Sequence, residues 1–361
     1  MAKRPSNRRD VQKQIERLDR ELVKLANERA RLYAKAAESK KQDDDSAGDA
    51  TSEQAAIQEV VASSKGPLGQ HALRAILREV ASGSRALTRP LRVAYLGPEH
   101  SYSHQATIER FGQSAELVPV ANIAAVFEEV NRRQADFGVV PIENSTDGRV
   151  VDTLDMFARL PVHICGEVQL RIHHNLLGKC SRGEVREVYS KPQALSQCRD
   201  WLARHLPQAR IVEAASTSAA AKTAAEKPGA AAVASLQAGT QFGLDVLAAN
   251  IEDSKNNVTR FAVIGHEPPP RSGNDKTSLM FEIPHQPGSL ADVMGVFKRN
   301  RLNLTWIESF PLPDSKSEYL FFVELEGHAD DLRVRRALEA LRRKTTRLEV
   351  LGCYARTQPV D

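Results

Sequence analysis

The chain has 361 residues, enough for two or three domains, each with its own core. Its 50 Lys and Arg against 46 Asp and Glu leave a formal charge of +4, and no stripe of alternating basic and aromatic residues goes with it, which argues against a nucleic-acid surface. The basic N-terminus leads into a charged helix rather than an apolar core, and no run reaches membrane-spanning length, so a cytoplasmic protein without a membrane segment is expected.

In chain order, Val11, Ile15, Leu18, Leu22, Leu25 and Leu32 recur at helical spacing and predict a long amphipathic helix ending near Lys41. The segment QDDDSAGDATSEQ (42–54) breaks it, and two more helices are expected at 53–63 and 69–87, the second patterned by Leu73, Ile76, Leu77, Val80 and Leu87. Three helices with few large aromatics make a thin core, so a homo-oligomer, at least a dimer, is expected to complete it. Pro90 closes this all-α region.

Beyond Pro90 strands alternate with helices, the pattern of an α/β domain. RVAYLG (92–97), ADFGVVPI (135–142), EVREVYS (184–190), ARIVEAA (209–215) and AAAVAS (230–235) read as strands. Residues 103–111, 149–160, 194–206 and 217–227 read as helices, and FAVIG (261–265) is the last strand. Cys165, Cys180, Cys198 and Cys353 lack the spacing of metal ligands, so reduced thiols and no metal are expected. PPPRSGND (268–275) is a linker, and the unit after it has the βαββαβ order of a ferredoxin-like α+β domain.

Three strand ends run through a short polar turn into a helix: GPEHSYSH (97–104), PIENSTDG (141–148) and ASTSAAA (215–221). Helix N-termini present unsatisfied N–H groups and partial positive charge, so these turns are either anion sites or ordinary caps. Three in one domain favour a ligand with more than one carboxylate, bound beyond the carboxyl ends of the strands. Thr259–Arg260, at the mouth of FAVIG, reads either as a turn end with a surface ion pair or as a functional hydroxyl beside a cation.

YLGPEHSYSHQA, VVPIENSTDG, VYSKPQALSQC, STSAA and NVTRF occur in the order seen in prephenate dehydratases, which the chain resembles over 92–265. Residues before 90 resemble an all-helical chorismate mutase, and those after 275 an ACT domain. The resemblance therefore implies domains at 1–90, 91–267 and 276–355, the middle one bilobed like a type II solute-binding protein. It implies a cofactor-free dehydratase that converts prephenate to phenylpyruvate, with phenylalanine as allosteric inhibitor. Thr259 is the implied proton donor to the departing ring hydroxyl. Arg260 would bind a carboxylate through two parallel hydrogen bonds, or else form an inter-lobe ion pair. Asn144, Ser190, Gln197 and Thr217 match substrate-holding positions, and Glu143 is a further contact or a structural acceptor. Lys191 stands where relatives commonly carry His, and Ala215 where some carry a carboxylate.

In the mutase-like region Arg29, Lys40 and Glu53 match the family's site, whereas Gln12 and Ser52 replace arginines and Thr88 replaces Gln or Glu. Each lost charge-assisted contact is worth about 1.5–3 kcal/mol, so a weakened mutase is expected, with a fully bifunctional enzyme as the alternative. A non-catalytic sensor of small anions and amino acids is the remoter alternative, against which the intact NVTRF argues. The effector loop would be Gly288, Ser289 and Leu290, with Asn303 and Leu304 at a dimer seam and Glu308 and Ser309 beginning a second signature. Phe310 replaces the Arg usual there.

Overall fold

The structure is a computed structural model and describes residues 8–40, 53, 56–146, 148–311 and 319–360. The chain forms two compact units, Met1–Leu91 with Phe111–Glu116, and Arg92–Arg110 with Leu117–Asp361. No described helix is long and apolar enough to cross a membrane.

The first unit is helical: α1 (Arg8–Lys40), α2 (56–62) and α3 (Gln70–Ala86). Contacts join α1 and α3, yet Val11, Ile15, Leu18, Leu22, Leu25 and Leu32 stay 39–63% exposed in the single chain. The apolar stripe that defines α1 is therefore not what it buries here. Most of the expected loop 42–54 lies outside the described residues.

The second unit carries three sheets. The first lobe contains β1 (Arg92–Leu96), α4 (Tyr102–Phe111), β2 (Glu116–Val120), α5 (Ile123–Asn131), β3 (Phe137–Asn144), β4 (Gly148–Arg149), α6 (Val151–Arg159) and β5 (His163–Arg171). The second lobe contains β6 (Asn175–Gly178), β7 (Glu187–Ser190), α7 (Pro192–Gln197), α8 (Arg199–His205), β8 (Arg210–Glu213), α9 (Thr217–Glu226), β9 (Ala230–Ala234), α10 (Leu236–Phe242) and β10 (Asp245–Ala248). β11 (Val258–Gly265) then returns to the first sheet. The orders are β2-β1-β3-β11-β5, with β4 on β3, and β10-β6-β9-β7-β8. The chain thus crosses between lobes twice, before β6 and before β11, and the domain is bilobed. The helix expected over 194–206 is two, α7 and α8, parted at Cys198.

β11 lies antiparallel between β3 and β5, with Thr259 opposite Asn144 and Arg260 opposite Glu143. Side chains alternate along a strand, so neighbours such as Thr259 and Arg260 serve opposite faces.

β12 (Asp275–Glu282), α11 (Ser289–Arg299), β13 (Leu304–Pro311), β14 (Tyr319–Glu326), α12 (Leu332–Arg342) and β15 (Arg347–Ala355) complete the chain, in sheet order β13-β14-β12-β15, the ferredoxin-like arrangement. Leu279, Phe281, Val323 and Leu325 pack under α11 and α12 with Val293, Phe297 and Leu341. Met280, Phe310, Leu320 and Phe322 face the other way and join the core of the first lobe. This sheet is consequently buried on both faces. At Gly352 a Cβ would lie 2.1 Å from the Ile164 carbonyl oxygen, so only glycine lets β15 approach β5 this closely.

Candidate active site

A cavity of about 970 Å³ lies between the two lobes. Thr259 and Phe261 of β11, Pro141 and Asn144 of β3, and Ser101, Tyr102 and Ser103 at the start of α4 line one side; Lys191, Gln193, Gln197, Ser216 and Thr217 line the other. All three strand-to-helix turns therefore reach one cleft, at the strand ends where ligands bind in open α/β sheets. Ser216 is also an ordinary cap, its Oγ accepting from the Ala219 N–H at 3.0 Å.

A buried amide array sets the polarity of Thr259. The Thr146 backbone N–H donates to Asn144 Oδ1 at 2.9 Å, which turns the Asn144 amide nitrogen toward Thr259. That nitrogen donates to Thr259 Oγ1 at 2.7 Å and to Asn257 Oδ1 at 3.1 Å. Asn257 Nδ2 donates in turn to Gln197 Oε1 at 2.8 Å. The Thr259 oxygen is thus an acceptor within the protein, and no described residue takes its hydrogen, which is left for a ligand in the cleft. His174 Nε2 also meets Gln197 Oε1, at 2.8 Å, and an amide oxygen can only accept, so Nε2 carries the proton. Burial, followed by the nearby His173, holds His174 below its ordinary pKa against the opposing pull of Gln197 and Glu252, and the ring is neutral at pH 7. Tyr102, whose hydroxyl donates to the His173 carbonyl at 2.8 Å, is raised by burial.

Of the expected substrate residues, Asn144, Gln197, Thr217 and Thr259 meet in the cleft. Three others do not line it. The Ser190 hydroxyl donates to the Val233 carbonyl at 2.6 Å and is fully buried, tying β7 to β9. Arg260, expected as a carboxylate ligand or an ion-pair partner, is placed as the latter: its guanidinium faces the C-terminal sheet, 2.7 Å from Glu143, 3.2 Å from Glu167 and 2.6 Å from Glu324. Lys276 Nζ joins the same cluster at 2.5 Å from Glu167 and 3.0 Å from Glu324. Strand alternation is the cause, and Glu143 accordingly acts as a structural acceptor. Tyr102, His174 and Asn257 were missed from sequence; the first Asn of NVTRF and the HHN at the lobe crossing were the available signals.

In the helical unit Glu53 is gripped by both Arg29 and Arg85, and Arg29 donates to Ser84 Oγ at 3.0 Å. Arg85, buried on α3, was not anticipated. Thr88 donates to the Arg85 carbonyl at 2.9 Å and closes the end of α3. Lys40 ends α1, and Ser52 lies outside the described residues. In the C-terminal domain a cavity of about 290 Å³ is lined by Gly288, Leu290, His285, Gln286, Tyr319 and Phe321. Gly288, at φ +87°, precedes Ser289 at the start of α11. Asn303, Leu304, Glu308 and Ser309 do not line that cavity; the Asn303 carbonyl accepts from Glu326 N–H, and Glu308 pairs with Arg149 of β4 at 2.6 Å. Phe310 is buried and stacked on Phe322, ring centroids 5.4 Å apart, in an apolar site where a guanidinium would lack partners.

Three family models match in succession: chorismate mutase type II over residues 11–89, prephenate dehydratase over 93–269 and ACT domain over 277–343. A bifunctional chorismate mutase/prephenate dehydratase of Aquifex aeolicus (strain VF5) is 41% identical over 96% of this chain and 97% of its own length. The structure of a prephenate dehydratase in complex with L-Phe from Arthrobacter aurescens is 32% identical, with a TM-score of 0.69, covering 74% of this chain and 92% of that one. Another solved structure, described as GqqA, a novel type of quorum quenching acylase, is 29% identical with a TM-score of 0.67 over 73% of this chain and 98% of that one. A shared fold hosts unrelated chemistries, so the reaction has to be argued from the cleft. Matched along nearly its whole length by proteins that combine these parts, the chain belongs to the bifunctional chorismate mutase/prephenate dehydratase family.

Proposed function

We propose that the cleft converts prephenate to phenylpyruvate, with Thr259 as the proton donor. The bond from the ring to its carboxylate breaks and releases carbon dioxide. The freed electron pair moves through the ring as it becomes aromatic and expels the hydroxyl group, which takes one proton and leaves as water. The observation that carries this reading is the orientation of Thr259: Asn144 donates to its oxygen, so its own hydrogen is available to the departing hydroxyl. A threonine is a weak acid, but a fixed geometry makes modest assistance effective when aromatisation drives the step. Asn144, Gln197 and Thr217 orient the substrate as neutral polar groups.

The same reading divides the chain at 1–90, 91–267 and 276–355 and gives the last segment phenylalanine as effector, bound against the loop of Gly288 and Leu290. The chain works in the cytoplasm as at least a dimer, a reading that the uncovered apolar stripe of α1 supports. The mutase segment is weakened by Gln12, although Arg29, Glu53 and the added Arg85 keep a charged centre there. The test is to supply purified protein with prephenate and, separately, with chorismate, and to follow phenylpyruvate. Rapid formation from prephenate and slow formation from chorismate is expected; no turnover of prephenate overturns the dehydratase assignment, and equal rates overturn the weakened mutase.

A further inference from the structure

The substrate of this cleft carries two carboxylates, and the arginine that the sequence placed beside the reacting centre is turned away from it. The charged side chains among the described lining residues are Lys191 and Asp152, and the buried His174 is neutral. Lys191 is therefore the one permanently cationic side chain among the described lining residues. It sits at the N-cap of α7, where its carbonyl accepts from the Leu195 N–H at 3.1 Å, and its side chain is exposed. Among the described residues it has no ion pair and no side-chain hydrogen bond, and none joins it to Asp152. A lysine held at a cleft wall without a protein partner among the described residues presents its ammonium group to whatever enters the cleft.

Resting on the dehydratase reading above, we propose that Lys191 receives a carboxylate of the dianionic substrate and is a principal determinant of its binding. Gln193 and Gln197, on the helix that Lys191 caps, line the same wall and supply neutral donors beside it. The proton-transfer centre at Thr259 belongs to the other lobe, so the effect of Lys191 falls on binding and not on the chemical step.

The experiment compares Lys191→Met, Lys191→Arg and Lys191→His with the unmodified full chain, using prephenate. Lys191→Met should raise KM at least tenfold with kcat within about threefold, since one charge-assisted contact is lost. Lys191→Arg should stay within about threefold of the unmodified KM. Lys191→His adds a signature that a packing role would not produce. With an ordinary imidazole pKa near 6.5, its KM should be close to the unmodified value below about pH 6 and rise to that of Lys191→Met by about pH 8.5, while the unmodified enzyme stays flat. An unchanged KM in Lys191→Met overturns the proposal, as does a fall in kcat at constant KM. Calorimetric titration with prephenate reads the same contact without turnover. If the unmodified chain binds prephenate but does not convert it, the dehydratase reading fails while Lys191 is still judged by the loss of affinity in Lys191→Met.

Discussion

Replacing Arg260 by Met separates its two roles, because they predict opposite changes. The guanidinium contacts Glu143, Glu167 and both oxygens of Glu324, and stands 5.7 Å from the centre of the Trp306 ring. Its side chain is 15% exposed, and those of Glu167 and Glu324 are 3% and 2% exposed. Two cations now face three carboxylates; without Arg260, Lys276 alone faces Glu167 and Glu324, and Glu143 loses its ion pair. Breaking a buried ion pair from one side costs about 3–5 kcal/mol, and because Glu143 is 26% exposed its share is screened by water, so a loss of about 3 kcal/mol is expected. Urea unfolding followed by Trp306 fluorescence, in a Trp201→Phe background that leaves one tryptophan, reads the transition of this region. Burial alone would raise the pKa of Glu167, but Lys276 and Arg260 overcome it and hold that carboxyl below its ordinary value. Such a group contributes stability that is fully present above the unfolded carboxylate pKa of about 4.3 and is lost as pH falls through the lower folded value. The difference between the two proteins should accordingly be full at pH 7 and shrink below about pH 4.3. The KM of folded Arg260→Met should change by less than threefold. A tenfold rise in KM with stability within 1 kcal/mol of the parent would refute the clamp and restore Arg260 as a substrate ligand.

Thr259→Ala should lower kcat by about two to four decades while prephenate still binds by calorimetry; near-normal turnover would remove Thr259 from the chemistry. Gly288→Val places a β-branched side chain on a residue at φ +87° in the effector loop and should raise the phenylalanine concentration for half-inhibition at least tenfold, whereas an unchanged value would locate the effector elsewhere. Gln12→Arg should speed conversion of chorismate by about one decade, as expected for one restored charge-assisted contact; robust turnover in the unmodified protein would show that the missing cation does not matter.

The strand–helix alternation was readable wherever one apolar run met one amphipathic helix, as at β1 with α4 and β9 after α9. It failed at β5, HICGEVQLR, where Glu167 is buried among Lys276 and Arg260 and breaks the apolar pattern. β2, with Pro119 inside it, and the four-residue β6 and β10 gave equally little local signal. Asn144 and Thr217 lie in the strand-to-helix turns that the sequence marks, whereas Gln197 and the role of Thr259 were indicated by the family resemblance alone; all four line the cleft. Ser190 and Arg260 fall outside the cleft because the facing of a residue is set by what packs on the sheet, and strand alternation turns Arg260 away from the face that carries Thr259. His174 and Asn257 carried only a weak local signal for a different reason: each acts through a partner far away in sequence, and only the two lobe crossings bring them to Gln197.

That alternation gives the Thr259–Arg260 pair its meaning. On one face of β11 a hydroxyl is aimed into the cleft by Asn144, and on the other a guanidinium is held by Glu324 of β14, with Lys276 of β12 bridging to Glu167 of β5. Two further contacts fix the same face of the C-terminal sheet, Glu308 to Arg149 and Phe310 within the core of the first lobe. An effector alters turnover only by favouring one arrangement of the protein over another, with typical coupling of about 1–3 kcal/mol. Any displacement of β14 relative to β11 has to move Glu324 against Arg260, one residue from Thr259. The hydrogen bond that orients the Thr259 hydroxyl is 2.7 Å long, and hydrogen bonds weaken steeply once the donor and acceptor turn out of line. A shift of the sheet that moved Glu324 would therefore reach β11 through Arg260, and the direction of the Thr259 hydrogen is what it would change.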